Sequence, residues 1–189
     1  MNRLVTFGCS HTYGHCLSSR DLSWPNKLAE LLNLECVNLG EEGASNKKIW
    51  YNIINFDFNL DDLIVIQWTY PERWCVLDKK HSEPIGPWID SDESNAYYKY
   101  LFNRYDSNLD INLRMSHINL LLKDFKVYNI LSQIDLHDHL DFNYSHILNI
   151  DFDNIREENE KGTDGVHAGP YAHKLFAELI AKEIKNDPR

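Results

Sequence analysis

A chain of 189 residues is long enough for one domain with a sizeable core and short for two. Apolar residues make up 43% of it and aromatic residues 12%, which excludes a disordered chain. Nineteen basic against 29 acidic residues give a formal charge of −10, which argues against nucleic acid or an anionic membrane as the partner. No segment approaches the roughly 20 apolar residues of a membrane span, and no secretory signal is recognised at the N-terminus.

In chain order, five short apolar runs are predicted to be strands: residues 3–7, 36–39, 63–68, 126–131 and 146–150. Capping residues and apolar spacing predict helices at residues 23–32, 45–56, 95–122 (with a break near 106–110) and 169–184. The polar, proline-containing stretch from 71 to 94 is predicted to be a long loop.

Strands that alternate with helices predict an α/β fold, because right-handed crossovers place helices on both faces of a parallel sheet. The run at 63–68 is continuously apolar, as expected of a strand that is covered on both faces. No repeat or linker divides the chain, so one domain is expected over residues 1–189. In such a sheet the active site is expected at the carboxyl ends of the strands.

The four cysteines show neither C-x-x-C pairing nor the density of a disulfide scaffold. They are Cys9, Cys16, Cys36 and Cys75. We therefore expect reduced thiols in a cytoplasmic protein. Abundant asparagine, isoleucine and aspartate with few glycines suggest an AT-rich bacterial or phage genome.

Ser10 directly follows the first predicted strand. A serine at that place has an exposed hydroxyl and nearby backbone N–H donors, which an acyl-transfer nucleophile requires. Turn and helix-cap chemistry uses the same pattern, so the motif alone is weak. Asp164 and His167, three residues apart before the last helix, are spaced so that the carboxylate can orient the imidazole. A doubly wound sheet brings the serine and this pair to one edge.

Three segments together resemble a known family. GCSHT at 8–12, NLGEEG at 38–43 and DGVH at 164–167 look like blocks I, II and V of the SGNH hydrolases, the GDSL esterase/lipase superfamily. In the order and spacing of these blocks the resemblance covers most of the chain. It implies a three-layer α/β/α sandwich like that of flavodoxin, with a mainly parallel sheet of about five strands.

The resemblance also implies roles for individual residues. Ser10 would be the nucleophile, His167 the general base and Asp164 the residue that orients it. The N–H groups of Ser10 and Gly43 would form the oxyanion hole, and Gly40 is the less suitable glycine because it comes too early. No cofactor and no metal are implied.

Two departures from the family pattern stand out. The block I aspartate is replaced by Cys9, which cannot accept hydrogen bonds as a carboxylate does. The glycine-asparagine pair of block III is absent, and the loss of one such oxyanion donor typically costs about 10²–10³ in rate. The residues that could replace it are Thr69, Tyr70, Arg73 and Asn46. Arg73 is the strongest donor, although an ion pair with Glu72 or Asp78 explains it equally well.

Several other residues could contact a substrate. The predicted contacts are His11, Asn46, Arg73 and Trp68. Aromatic residues gather around the long loop, where they would suit a sugar ring or an acyl group, although core packing explains at least half of them. They are Trp68, Tyr70, Trp74, Trp88, Tyr97, Tyr98 and Tyr100. A metal site at His137-Asp138-His139 with His11 and His15 is less favoured than solvated loop histidines.

The favoured hypothesis is a serine ester hydrolase that acts on an acyl or O-acetyl ester, such as one carried by a carbohydrate. The alternatives are a binding or structural protein with weak or no activity, and an O-acyltransferase. The expected partner is a small-molecule or glycan ester. The sequence leaves the oligomeric state undetermined.

Overall fold

The computed structural model describes residues 2–77, 82–132 and 147–188. Its strands are β1 (Arg3–Gly8), β2 (Glu35–Gly40), β3 (Leu63–Trp68), β4 (Trp74–Leu77), β5 (Ser82–Ile85), β6 (Lys126–Leu131) and β7 (Ile147–Leu148). Its helices are α1 (Ser10–Tyr13), α2 (Trp24–Leu32), α3 (Asn46–Ile54), α4 (Asp92–Tyr100), α5 (Arg104–Leu121), α6 (Phe152–Glu158) and α7 (Pro170–Asn186). The predicted α/β class is confirmed.

Five of these strands form one sheet in the order β2-β1-β3-β6-β7. Every pairing in it is parallel. Val5 of β1 lies opposite Val37 of β2 on one side and Ile64 of β3 on the other, and Ile64 in turn lies opposite Val127 of β6. The central strands are buried on both faces, which explains their continuously apolar sequences.

Two apolar cores cover the two faces of the sheet. Leu4 packs in a core with residues of α2, α6 and α7, whereas its neighbour Val5 packs in a second core with residues of α3 and α5. This division follows from the alternation of side chains along a strand. The result is the predicted three-layer sandwich, with helices on both faces of the sheet.

Local sequence explains where the helices begin. Ser45 accepts a hydrogen bond from the backbone N–H of Lys48 and so caps α3, while Ser23 and Pro25 open α2. The predicted break in the helix at 95–122 is present but comes earlier, because Asn103 caps a new helix through the N–H of Asp106. The prediction of a break near 106–110 was wrong in position.

The structure corrects the sequence interpretation of the stretch from 71 to 94. Its described part contains an antiparallel hairpin of β4 and β5 and the first residues of α4, rather than a plain loop. Helix α6 was not predicted. The histidines His137 and His139 lie outside the described residues. Within the described ranges no helix is both long and apolar enough to cross a membrane.

Candidate active site

Ser10 opens α1 immediately after β1 ends at Gly8. A Cβ atom on Gly8 would lie 1.9 Å from Oγ1 of Thr12, so only glycine lets the helix turn back against the end of the strand. As the first helical residue, Ser10 has a backbone N–H that no helical carbonyl can accept. Cys9 occupies the N-cap, is fully buried and makes no side-chain cap bond.

A chain of hydrogen bonds links the serine to the two residues predicted from the last loop. Nε2 of His167 lies 3.1 Å from Oγ of Ser10, and Nδ1 of His167 lies 2.5 Å from Oδ2 of Asp164. The carboxylate fixes the ring with its proton on Nδ1, which leaves the Nε2 lone pair for the serine hydroxyl. The three side chains therefore lie in one hydrogen-bonded line from Ser10 through His167 to Asp164.

Asp164 is held as an anion. Its Oδ1 accepts the backbone N–H groups of Val166 and His167, both at 3.0 Å. Burial opposes ionisation, but these N–H groups and the imidazole outweigh it and hold the pKa of the Asp164 carboxyl well below its usual range. The same bonds shape the loop, so the residue that orients the ring is itself fixed by the backbone.

Gly43 lies in the turn after β2 and lines the same cleft as Ser10. Its φ of +69° is in the left-handed region that favours glycine. Among the described residues no group accepts its backbone N–H. The N–H of Gly40 donates instead to Oδ1 of Asn38 at 2.9 Å, so the geometry favours Gly43 as the sequence interpretation did.

These residues open into a cleft of about 710 Å³ at the carboxyl edge of the sheet. Its lining comprises Ser10, His11, His15, Glu42, Gly43, Tyr70, Glu72, Arg73, Pro87, Trp88, Asp153, Arg156, Asp164, Val166 and His167. This volume is large enough for a small ester or for one or two sugar units.

His11 lies at the floor of the cleft, as its position beside Ser10 predicts. Its ring is 5.2 Å from that of His167 and 4.8 Å from that of Phe152, centroid to centroid. Burial, followed by the charges of His167 and Arg73, lowers its pKa well below the usual value. Its Nδ1 has no hydrogen-bond partner among the described residues, so a neutral imidazole faces the site.

Three residues predicted to act in the site lie behind the cleft wall instead. Trp68 is fully buried in the core, where its Nε1 donates to Asn129 at 2.8 Å. The side chain of Asn46 binds the backbone of Thr69. Its amide accepts the Thr69 N–H at 2.8 Å and donates to the Thr69 carbonyl at 2.9 Å. The Asn46 amide therefore holds α3 against the end of β3, and the Thr69 hydroxyl is buried without a hydrogen-bond partner among the described residues. Neither side chain reaches the cleft, nor does Trp68, which corrects the predicted substrate and oxyanion roles.

Tyr70 does line the cleft, but its hydroxyl is engaged. It donates to Oδ1 of Asp153 at 2.5 Å, and Arg156 lies 3.5 Å from the same carboxylate oxygen. Burial, and then the charge of Asp153, raises the pKa of the Tyr70 hydroxyl far above its usual value. The hydroxyl therefore stays protonated and bound to the protein.

Among the described residues, Arg73 is the cation of the cleft wall that has no ion pair. Its guanidinium lies over the rings of Tyr70 and Trp88, at 5.2 and 4.7 Å from their centroids. The predicted pair with Glu72 does not form, because Glu72 binds Arg104. Asp78 lies outside the described residues. Nε and Nη1 of Arg73 have no hydrogen-bond partner in the described part of the chain.

Three polar residues of the cleft were missed by the sequence interpretation: Glu42, Asp153 and Arg156. His15 was considered only for the less favoured metal site. Asp153 follows β7, so the rule that sites lie at the carboxyl ends of strands could have found it. Nothing in the sequence marks Arg156, which lies on the unpredicted α6.

Most of the predicted aromatic cluster lies away from the site. Trp74 stacks on Tyr97 with an interplanar angle of 11° at 6.0 Å, and Tyr98 packs against Tyr97. Tyr100 is exposed at the surface. Of the predicted aromatic residues, Tyr70 and Trp88 line the cleft.

A scan against models of protein families gives no match, and a search of curated proteins gives none. Solved structures do match. A member of the lipolytic protein G-D-S-L family from Veillonella parvula has a TM-score of 0.54 at 15% identity, over 99% of this chain and 100% of that one. A carbohydrate esterase family 2 enzyme with a carbohydrate-binding domain, from Corynascus thermopiles (Myceliophthora fergusii), has a TM-score of 0.56 at 12% identity, over 97% of this chain and 65% of that one. An acetyl xylan esterase from the rumen bacterium Butyrivibrio proteoclasticus has a TM-score of 0.55 at 9% identity, over 98% of this chain and 63% of that one. At these identities the likeness shows the fold.

Proposed function

We propose that this chain, which has the fold of the SGNH (GDSL-type) hydrolases, is a serine esterase that removes acyl groups, in particular O-acetyl groups, from carbohydrate esters. The observation that carries the proposal is the hydrogen-bonded line from Ser10 through His167 to Asp164. The open cleft beside it supports access for a substrate. The acetyl xylan esterase and the family 2 carbohydrate esterase among the similar structures support the choice of substrate class.

In the proposed first half-reaction, Oγ of Ser10 attacks the ester carbonyl carbon while its proton passes to Nε2 of His167. Asp164 stabilises the imidazolium. The tetrahedral intermediate collapses as His167 returns the proton to the sugar oxygen, and the sugar alcohol leaves. The acyl group remains as an ester on Ser10.

The second half-reaction repeats these steps with water. His167 takes a proton from water, the hydroxide oxygen attacks the acyl carbon, and acetate leaves as Ser10 regains its proton. The N–H groups of Ser10 and Gly43 would stabilise the oxyanion in both halves. We assign the third donor to Arg73, because the Asn46 amide binds the backbone of Thr69 and the Thr69 hydroxyl is buried away from the cleft. The Tyr70 hydroxyl is bound to Asp153.

The first experiment is labelling with a fluorophosphonate probe, with the adduct mapped by mass spectrometry. We expect an adduct on Ser10 that is absent from Ser10→Ala and retained in Ser18→Ala, a nearby exposed serine. Acetate release from acetylated xylan should then depend on Ser10 in the same way. An absence of labelling under conditions that label a known serine esterase would instead favour a binding protein that keeps the fold without the chemistry.

A further inference from the structure

Four potential metal ligands meet at the mouth of the cleft: His15, Cys16, Asp164 and His167. His15 and Cys16 follow α1, and the other two residues precede α7. One ligand atom from each residue lies within 4.8 Å of those of the other three. We propose that this cluster is a Zn²⁺ site, and that zinc bound there switches the triad off.

The donor set matches the chemistry of zinc. Two imidazoles, a thiolate and a carboxylate are all ligands that Zn²⁺ accepts, most often four at a time in a tetrahedron. Metal–ligand bonds of 2.0–2.3 Å place tetrahedral ligands about 3.3–3.8 Å apart. The separations in this cluster are at most 4.8 Å, so the farthest ligand atoms need to approach each other by about 1–1.5 Å.

The backbone already holds the two segments together. The carbonyl of Cys16 accepts the backbone N–H of Thr163 at 3.2 Å and its hydroxyl at 3.3 Å. Cys16 has a φ of +62°, a conformation that non-glycine residues adopt rarely. The cysteine is thus fixed against the loop that carries Asp164 and His167, instead of reaching it by chance motion.

Glu42 already orients one of the four ligands, His15. Nδ1 of His15 lies 2.7 Å from Oε1 of Glu42, which directs the ring proton to that carboxylate and leaves the lone pair on Nε2. Histidine ligands of metals characteristically donate to a carboxylate in this way. The ring of His15 stands edge-on to that of His167 at 4.7 Å, so both rings face one small volume.

Two carboxylates at the cluster would offset the charge of a bound cation. Glu42 and Asp164 lie at the cluster, and the whole chain carries a formal charge of −10. Cys16 is a free, half-buried thiol. It loses one proton to the solvent when it coordinates zinc, and no oxidant or reductant is needed.

Bound zinc and the proposed catalysis exclude each other. A histidine whose lone pair is given to a metal cannot take the proton of Ser10, and a carboxylate on the metal no longer orients the ring. This inhibitory half of the inference rests on the proposed function, whereas the binding half does not.

Binding is measured first, with no activity assay. Zinc is titrated calorimetrically, and Co²⁺ is used as a probe because thiolate coordination gives it an intense charge-transfer absorption. We expect one metal per chain with a cysteine ligand, and at least about 10-fold weaker binding in Cys16→Ser and in His15→Gln. The matched control Cys36→Ser, a half-buried cysteine on β2, should bind as the unmodified protein does.

Inhibition is measured on 4-nitrophenyl acetate. Zinc should inhibit hydrolysis by the unmodified protein, and EDTA should restore the activity. Half-inhibition of Cys16→Ser should need at least about 10-fold more zinc. Equal zinc affinity in Cys16→Ser, His15→Gln and Cys36→Ser would overturn the site, as would a failure of the unmodified protein to bind either metal. If the protein bound zinc through these residues but hydrolysed no ester, the zinc site would stand and the proposed function would be wrong.

Discussion

The two walls of the cleft use their polar groups in opposite ways. On the nucleophile wall, formed by Ser10, Gly43 and the loop of Asp164 and His167, the side chains and N–H groups face the cleft. Behind the hairpin wall, which carries Tyr70 and Arg73, the Asn46 amide binds the backbone of Thr69. The groups that could perform the proposed chemistry therefore lie mainly on the first wall, whereas the second wall is mainly architectural, with Arg73 as its exception.

The largest effect is expected on the nucleophile wall. Asp164→Asn should lower kcat by about 10³–10⁴-fold, because an amide disfavours the tautomer that accepts the serine proton. Its Oδ1 can still accept the N–H groups of Val166 and His167, so the loop should persist. The measurement is steady-state hydrolysis of 4-nitrophenyl acetate, with circular dichroism as the check on folding.

The matched control is Asp90→Asn, an exposed aspartate in a loop. It removes the same charge at a residue that does not line the cleft, and we expect unchanged kinetics. Full activity of Asp164→Asn would mean that the hydrogen-bonded line is structural, and the contrast between the two walls would disappear.

The second prediction tests the exception on the hairpin wall. Arg73→Gln should lower kcat by about 10²-fold with a smaller change in KM, because an oxyanion donor acts in the transition state. The kcat of Arg73→Lys should lie between those of Arg73→Gln and the unmodified protein, since an ammonium keeps the charge without the planar fork of the guanidinium. Both are measured by steady-state kinetics on an acetyl ester.

Tyr70→Phe is the companion variant. Its hydroxyl is already bound to Asp153, so we expect a loss in kcat of less than about 10-fold, well below that of an oxyanion donor. If Tyr70→Phe lowered kcat by about 10²-fold and Arg73→Gln left it unchanged, the third oxyanion donor would be Tyr70. The hairpin wall would then contribute to catalysis through the Tyr70 hydroxyl, which is hydrogen-bonded to Asp153 in this structure.

The sheet and the nucleophile wall could largely be predicted from the sequence, whereas the hairpin wall could not. The five strands and the first-wall residues Ser10, Asp164 and His167 were predictable, because apolar runs report burial and short motifs follow strand ends. The hairpin of β4 and β5 was hidden by Pro84, which the strand accommodates in a two-stranded sheet.

The hairpin wall also shows why side-chain roles were harder to predict. The sequence placed Thr69 among the residues that could replace the missing asparagine, but it could not reveal that Asn46 binds both the N–H and the carbonyl of Thr69. Arg73 and Glu72 are adjacent in sequence, yet Glu72 pairs with Arg104, which lies on the distant α5. Such partners are set by tertiary packing, which neither periodicity nor spacing records.

The smallest effect is expected where the hairpin wall is purely architectural. Asn46→Ala should lower the free energy of unfolding by about 1–3 kcal/mol, because it leaves the buried N–H and carbonyl of Thr69 without partners. Asn52→Ala is the control on the same helix: its single bond to Glu41 is half-buried, and its loss should cost about 1 kcal/mol or less. Urea unfolding measures both, and kcat of Asn46→Ala should stay within about 10-fold of the unmodified protein, below the cost of an oxyanion donor. A loss of 10²-fold or more in kcat without loss of stability would place Asn46 in the chemistry, and the second wall would then carry an oxyanion donor after all.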